Sequence, residues 1–476
     1  MFKRGQRLAE VRISDFAYGG KGIARFETEQ GDYILFVESA IPGQLVSAQV
    51  TKSRKRHAEA RLLHVLEHAQ DEEPSRFQVM AGAPYITLPI DRQKDLKFGA
   101  TRDVYTRLGN IDFDGIFEEW IASPLTYGYR NKMEYSFGAI VHKPGTADED
   151  YDGFGLGLKR RGTWWKVENL EKSSGLFDAA FEALLPDVRK LCEASGLPAW
   201  HSPRKEGFFR FLVVRKSFDA DRFLITLVTS SQGLESFEPS PILELFKQRL
   251  GDRLAGFIHA VNDEVNDRGK IEAGKSDLLF GDNKIVESIL RLSFEISMES
   301  FFQPNPLAAE KLYERVADYV YEGQRSYENT YVMDLFCGTG TIAQLIASRS
   351  PESQVIGVDI VKEAIANAEK NATRNVLSNV EFFAEDAGKF LLNHPEYEQR
   401  IETVIVDPPR AGVGEKTIKK VLKLEARRIV YVSCNPATQT RDLNQLTEAG
   451  YTLRKLTLVD QFPHTAHIEA IALLDR

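Results

Sequence analysis

A cysteine and a glutamate near the carboxyl end of this 476-residue chain have the types and setting to do chemistry. Cys434 stands in Ser433-Cys434-Asn435-Pro436, directly after the apolar run Arg428-Ile429-Val430-Tyr431-Val432, which reads as a buried strand. A cysteine at the carboxyl end of such a strand opens onto the ligand side of an open α/β sheet. Glu469 lies 35 residues further on, closing His464-Thr465-Ala466-His467-Ile468-Glu469 against a second apolar run. A thiol and a carboxylate at the ends of neighbouring strands make a nucleophile and a base. The other two cysteines, Cys192 and Cys337, read as packing residues.

The strands that must position this pair lie upstream. Val332 to Leu335 forms a strand running into the turn Phe336-Cys337-Gly338-Thr339-Gly340-Thr341, with a helix from about Ile342. Gly338 and Gly340 permit positive φ and close approach of backbone to a ligand. Asp359 ends the next strand, 21 residues after Gly338. An acid at that distance suits ribose hydroxyls. A third strand, 380–383, ends near Asp386, and a fourth, 403–406, ends in Asp407-Pro408-Pro409-Arg410. The glycine turn lacks the third glycine of a dinucleotide fingerprint, and by itself it admits a nucleotide-bearing cofactor or none. The succession carries more: glycine turn, acid, Asp-Pro-Pro, Ser-Cys-Asn-Pro and His-x-x-His-x-Glu fall at successive strand ends.

With Phe302-Gln303-Pro304-Asn305 ahead of them, these motifs resemble those of the S-adenosylmethionine-dependent RNA uridine C5-methyltransferases, which make 5-methyluridine in tRNA or ribosomal RNA. The likeness spans essentially the whole chain. It implies a class I (Rossmann-like) α/β methyltransferase domain with Cys434 as nucleophile and Glu469 as base. It places Gln303, Phe336, Asp359 and Asp407 at the cofactor or around it, and adds Thr341 and Asp386, the latter toward the adenine amino group. Covalent catalysis explains the residue types. A thiolate adding to C6 of uracil raises electron density at C5, where the methyl group arrives; a base then removes the C5 proton and the thiolate leaves. The thiol is expected to have its pKa lowered by a positive neighbour, Arg410, or by the helix N-terminus near Ala437. Amino-group methyltransferases carry an aromatic residue after Asp-Pro-Pro, where this chain has Arg410. Cytosine C5 enzymes add a cysteine after the fourth strand, which is lacking, so uracil is favoured.

The amino-terminal 66 residues read as a small β module: alternation over Leu8 to Ile13, a glycine-rich turn at Tyr18 to Gly22, a strand Tyr33 to Val37 and another from Gln44 to Thr51. The pattern resembles the TRAM domain, an OB-like RNA-binding barrel. Net charge is −8 for the chain, yet residues 1–66 hold 11 Lys and Arg against 7 Asp and Glu, with a basic run Lys52 to His57. A local basic surface on an acidic protein can still bind phosphates. Residues 67–292 are expected to form a central α+β domain in which Tyr129 to Tyr135 and Lys159 to Trp165 mix cations with aromatics. Such segments suit RNA or a core equally. A helical stretch at 93–127 is expected to pack back on the catalytic domain, 293–476.

Many family members hold an iron–sulfur cluster on cysteines early in the central domain. This chain has Phe77 to Ile86 there and no cysteine before Cys192, so no cluster is expected. Three scattered cysteines and the lack of an apolar leader point to the cytoplasm, with no membrane span and a monomeric protein. The expected partner is RNA: the resemblance implies that members with this N-terminal module modify either 23S ribosomal RNA or the tRNA T-loop, and 23S ribosomal RNA is favoured because the bacterial tRNA enzyme of the family lacks the module. Rival readings are a non-catalytic RNA-binding or assembly factor, against which Cys434 and Glu469 argue, and a small-molecule methyltransferase, against which the basic module argues.

Overall fold

A computed structural model describes the chain except residues 1, 30, 145, 147–148, 161, 265–274, 324–330 and 398. Three sheets and one two-stranded ribbon organise it. The first sheet orders its strands Arg7–Arg12, Leu45–Ser53, His57–Glu67, Tyr33–Glu38, Lys21–Phe26 and Asp15–Ala17. Alternate residues Tyr33, Leu35, Val37, Val46, Ala48, Val50, Ala58 and Ala60 are buried in its core, as the two-residue period of a strand requires. The basic run sits at the exposed hairpin tip between Leu45–Ser53 and His57–Glu67.

The central sheet has seven strands, and its middle strand, Phe209–Ser217, is flanked by Lys132–His142 and Arg222–Thr229. Arg210 and Arg215 on this strand are both buried. Arg210 lies 4.3 Å over the Trp200 ring, while Arg215 donates to the carbonyls of Met298 and Ser300, anchoring the chain that leads to Gln303. Residues 77–86 join apolar clusters: Met80 packs with Tyr135 and Phe177, and Ile86 with Tyr129 and Leu176. Trp164 is 53% exposed, which decides against a core role for it. Arg161, in the same cationic segment, lies outside the described residues.

The catalytic sheet runs Val380–Ala384, Gln354–Asp359, Tyr331–Leu335, Ile401–Val406, Arg428–Ser433, Glu469–Asp475, Thr452–Val459 and Phe117–Ile121. The first five are mutually parallel, and Glu469–Asp475 is antiparallel to both its neighbours. Strand order reverses between Tyr331–Leu335 and Ile401–Val406, the switch point where open α/β sheets bind ligands beyond their carboxyl ends. The strands 331–335, 401–406 and 428–433 are near-continuously apolar, as burial on both faces demands.

Two features differ from the sequence expectation. The stretch 93–127 is not wholly helical. Helix Ile90–Asp103 runs into a π-helical turn, Val104–Leu108, and a short helix, Phe113–Ile116; then Phe117–Ile121 forms a strand parallel to Thr452–Val459 at the sheet edge. The backbone groups of that edge attract a strand that local pattern does not announce. The boundary at 292/293 also falls within the ribbon Lys284–Ile289/Leu292–Ser297, whose Ile285, Ile289, Phe294 and Ile296 share one apolar cluster with helix Pro306–Tyr321.

The apolar packing of residues 77–86 yields the first prediction. Protein prepared without oxygen is expected to be colourless and to contain no iron by elemental analysis. Stoichiometric iron with acid-labile sulfide would contradict the packing that Met80 and Ile86 make.

Candidate active site

Pairing between Arg428–Ser433 and Glu469–Asp475 places the candidate pair, Cys434 and Glu469. Val432 faces Ile471 and Ser433 faces Ala470, so the same register brings Cys434 opposite Glu469. Helix Pro436–Glu448 starts two residues after the cysteine, with proline in its first turn. The fold of this loop is held by Asn435, whose side-chain amide donates to the Arg410 carbonyl at 3.0 Å. Thr438 Oγ1 donates to the same carbonyl at 3.3 Å. Asp442, fully buried, accepts from Tyr431 Oη at 2.7 Å and Val413 N at 2.9 Å, which fixes the far end of the Asp-Pro-Pro-Arg loop.

The electrostatics oppose ionisation. Burial pushes the Cys434 thiol up to about 11, and Glu469 and Asp407 add to the rise. Arg410 acts the other way, by its charge and a hydrogen bond to the thiol. The sequence expectation of a lowered thiol pKa is therefore corrected: the cation is where it was expected, but desolvation and two carboxylates outweigh it. Glu469 is raised well above the ordinary carboxylate range by burial and by Asp407, with Arg410 opposing. Burial alone raises Asp407 to about 7.

The glycine turn forms the second half of the site. Phe336 takes φ 66°, and its N–H and that of Cys337 donate to the Val358 carbonyl, joining two strand ends. Asp359 Oδ2 accepts from Gly338 N at 3.0 Å and Oδ1 from Val361 N at 2.9 Å. Gly340 has φ 73°, and a Cβ there would come within 2.6 Å of the Phe382 ring. Gly338, at φ 54°, has nothing within 4 Å of such a Cβ: its backbone faces an open cradle. Thr341 begins helix Thr341–Arg349 and is buried. Asp386 is exposed at the end of the 380–384 strand and caps helix Ala387–Asn393, accepting from Lys389 N at 3.0 Å. Asp407 N donates to the Leu335 carbonyl at 3.4 Å, across the switch point. Gln303 Oε1 accepts from Gln461 Nε2 at 3.2 Å. The structure thus gathers Gln303, Phe336, Gly338, Gly340, Thr341, Asp359, Asp386 and Asp407 around the carboxyl ends of adjoining strands, with Cys434 and Glu469 beyond them.

Several residues escape sequence reasoning. Tyr313, on helix Pro306–Tyr321, has its phenol pKa raised by burial and then by Asp407, while a hydrogen bond to Gln303 opposes the rise. Among the other residues of its amphipathic helix it reads as core. Tyr18, from the glycine-rich turn of the N-terminal sheet, donates to Asn435 Oδ1 at 3.2 Å. Its pKa rises through burial, Cys434 and Glu469, so the N-terminal sheet reaches the reacting groups themselves. Tyr85 Oη fastens that turn by donating to the Gly20 carbonyl at 2.8 Å. His464 is fully buried with φ 65°. Its Nε2 donates to the Thr126 carbonyl at 2.9 Å, and its Nδ1 accepts from Gln93 at 3.1 Å. Burial lowers its pKa to about 4, so it is a neutral positioning residue rather than an acid or base.

Comparison with known proteins matches this architecture. The profile of the tRNA (Uracil-5-)-methyltransferase family fits residues 273–476, and that of the TRAM domain fits 3–63. An RNA methyltransferase of Clostridium acetobutylicum is 35% identical over 99% of this chain and 98% of its own length. The chain belongs to the RNA (uracil-5-)-methyltransferase family. An RNA methyltransferase of Caldanaerobacter subterraneus subsp. tengcongensis shares 33% identity with this uracil methyltransferase over 98% of the chain and 99% of the relative. The fold is also that of the Pyrococcus abyssi tRNA (uracil-54, C5)-methyltransferase, solved with S-adenosyl-L-homocysteine. That structure aligns over 98% of this chain and all of its own at 22% identity, with a TM-score of 0.70.

A thiol with a pKa near 11 gives a direct test in the free methyltransferase. Only the thiolate reacts, so alkylation of Cys434 by iodoacetamide is expected to quicken about tenfold per pH unit between pH 7 and 9. Arg410→Ala removes the group that lowers this pKa and is expected to slow alkylation several-fold at pH 8. Mass spectrometry of the Cys434 peptide reads both rates.

Proposed function

We propose that this enzyme forms 5-methyluridine in RNA through a covalent bond between Cys434 and C6 of the target uridine, using S-adenosylmethionine, and that the RNA is 23S ribosomal RNA. The observation that carries the reading is the placement of Cys434 across from Glu469 with Arg410 beside the sulfur.

The cradle fits an S-adenosyl cofactor: Gly338 leaves backbone open to it, Asp359 lies at the strand end with its carboxylate fixed by two backbone N–H groups, and Asp386 borders the same edge. When bound, S-adenosylmethionine supplies an electrophilic methyl group. The protein's part is to make C5 of uracil able to accept it. A protonated thiol is inert, so Cys434 gives its proton to solvent and Sγ adds to C6 as the thiolate. Arg410 stabilises the sulfur anion through its charge and hydrogen bond. After C5 is methylated, Glu469 in its ionised form takes the C5 proton, and Sγ departs as a thiolate while the C5–C6 double bond re-forms. A carboxylate whose pKa is raised well above its usual value is the stronger base for that step.

The ribosomal target rests on the family resemblance, in which the bacterial tRNA enzyme lacks an N-terminal module. The tRNA alternative gains from the Pyrococcus match, which extends across 98% of this chain and so takes in that module as well. Nucleoside mass spectrometry of 23S ribosomal RNA and tRNA from a deletion strain is expected to show 5-methyluridine lost from the former; loss from tRNA alone would transfer the assignment.

Glu469→Gln tests the base. The amide is nearly isosteric, so addition and methylation are expected to proceed while proton removal stalls. A protein–RNA band carrying label from methyl-labelled S-adenosylmethionine is expected to persist on a denaturing gel, with turnover down about 10²- to 10⁴-fold. Free methylated RNA at the wild-type rate would assign the base to another group. Cys434→Ala is expected to give neither band nor product.

A further inference from the structure

A cavity of about 800 Å³ opens beside the reaction centre, and none of its residues takes part in the chemistry above. Arg130, Lys132, Lys159 and Arg160 line it, with Trp164 at its edge and Glu134 as its one carboxylate. Four cations against one acid is unusual in a chain of net charge −8. Lys132 is only partly exposed, and no ion pair with it occurs among the described residues. Burial, and next the nearby Arg215, lower its pKa, with Glu134 opposing, so an anion arriving there would relieve both. Arg130 has a buried Nε without a hydrogen-bond partner and lies against the rings of Tyr129 and Phe462 at 5.9 and 6.0 Å. Lys159 stands 5.3 Å from the Phe211 ring. Trp164, 53% exposed, meets Trp165 edge-on and leaves a face to solvent.

The cavity shares a wall with the site. Asn131, between Arg130 and Lys132, donates from its side chain to the Gln303 carbonyl at 3.0 Å and from its backbone to the Pro304 carbonyl at 2.7 Å. Pro304 lines the cavity, while the Gln303 side chain meets Gln461 and Tyr313 on the reaction side. Adjacent residues of one segment thus face the cavity and the candidate site.

We infer that this cavity holds an unpaired nucleotide neighbouring the target uridine, its base stacked on Trp164 and its phosphate between Arg130 and Lys132. The inference rests on the RNA methylation reading for the direction in which the strand runs. The chemistry itself is general. Unstacked bases are captured on exposed aromatic faces, and sequence-tolerant affinity comes from phosphates on cations. The volume is in the range of sites that enclose a small organic ligand. A nucleotide held here would fix the strand on one side of the uridine without touching C5 or C6.

The test uses the full-length enzyme and a fluorescein-labelled oligouridylate, with binding read by anisotropy over a series of KCl concentrations. Trp164→Ala is expected to weaken binding about tenfold at fixed salt and leave the salt slope unchanged, because stacking releases no counterions. Lys132→Gln is expected to weaken binding and to flatten the slope of log K against log salt by about 0.7, the value for one phosphate on a single strand. Retained binding of S-adenosylhomocysteine shows that each variant is folded; Trp164 is a surface residue, so its variant decides should Lys132→Gln not fold. Wild-type affinity and slope in a folded Trp164→Ala variant overturn the inference, as does failure of the wild-type enzyme to bind the oligomer. Weakened binding by the variants of an enzyme that methylates no uridine would support the cavity and overturn the reaction instead.

Discussion

The antiparallel register between Arg428–Ser433 and Glu469–Asp475 is the constraint on which this site depends. Side chains alternate across a strand, so a one-residue slip would turn the carboxylate of Glu469 to the opposite face from the thiol it serves. Much of the surrounding structure prevents that slip. The chain must return from Val459 to Glu469 through a loop in which Asp460, Gln461, His464 and Thr465 are buried. Lys97 meets Asp460 there at 2.7 Å in a pair almost closed to water, and donates to the Phe462 carbonyl at 3.0 Å. Removing one partner would strand a buried charge, at a cost of about 3–5 kcal/mol. Gln93 closes the same loop through both His464 N and Nδ1. Helix Ile90–Asp103, far away in sequence, is therefore part of the catalytic framework.

A second consequence is electrostatic. Asp334 and Glu469 are buried, and the nearby half-buried Asp407 adds to desolvation in working against the ionisation of both. Asp334 accepts from Ala343 N at 3.0 Å, yet its other oxygen has no hydrogen-bond partner among the described residues. Arg410 is the cation set against this cluster at the thiol. The resting site is thus closer to neutral than its formal charges suggest.

The N-terminal sheet joins these two themes. Tyr18 reaches Asn435, and Asn435 reaches the Arg410 carbonyl, so one side chain ties the module to both the nucleophile loop and the Asp-Pro-Pro-Arg loop. A module whose basic hairpin is exposed at the far end, between Leu45–Ser53 and His57–Glu67, is thereby mechanically continuous with the reacting groups.

The α/β class, the glycine turn and the strand-end positions of Cys434 and Glu469 were legible in the sequence because each is local: apolar runs announce buried strands, and turn glycines and polar residues follow at their ends. Strand His57–Glu67 was harder to see, since its inward positions are Ala58 and Ala60 rather than β-branched residues. Strand Phe117–Ile121 was hidden within a stretch expected to be helical, because only the open edge beside Thr452–Val459 makes it a strand. Tertiary structure alone decided the thiol's ionisation: Arg410 and Asp407 share one four-residue motif, but the burial and the Glu469 carboxylate come from elsewhere in the chain. It also decided that Trp164 faces solvent, that His464 is a neutral tether, and that Tyr18 touches the catalytic loop. Sequence fixes which groups are present; burial and long-range contact set their charge, their partners and the direction they face.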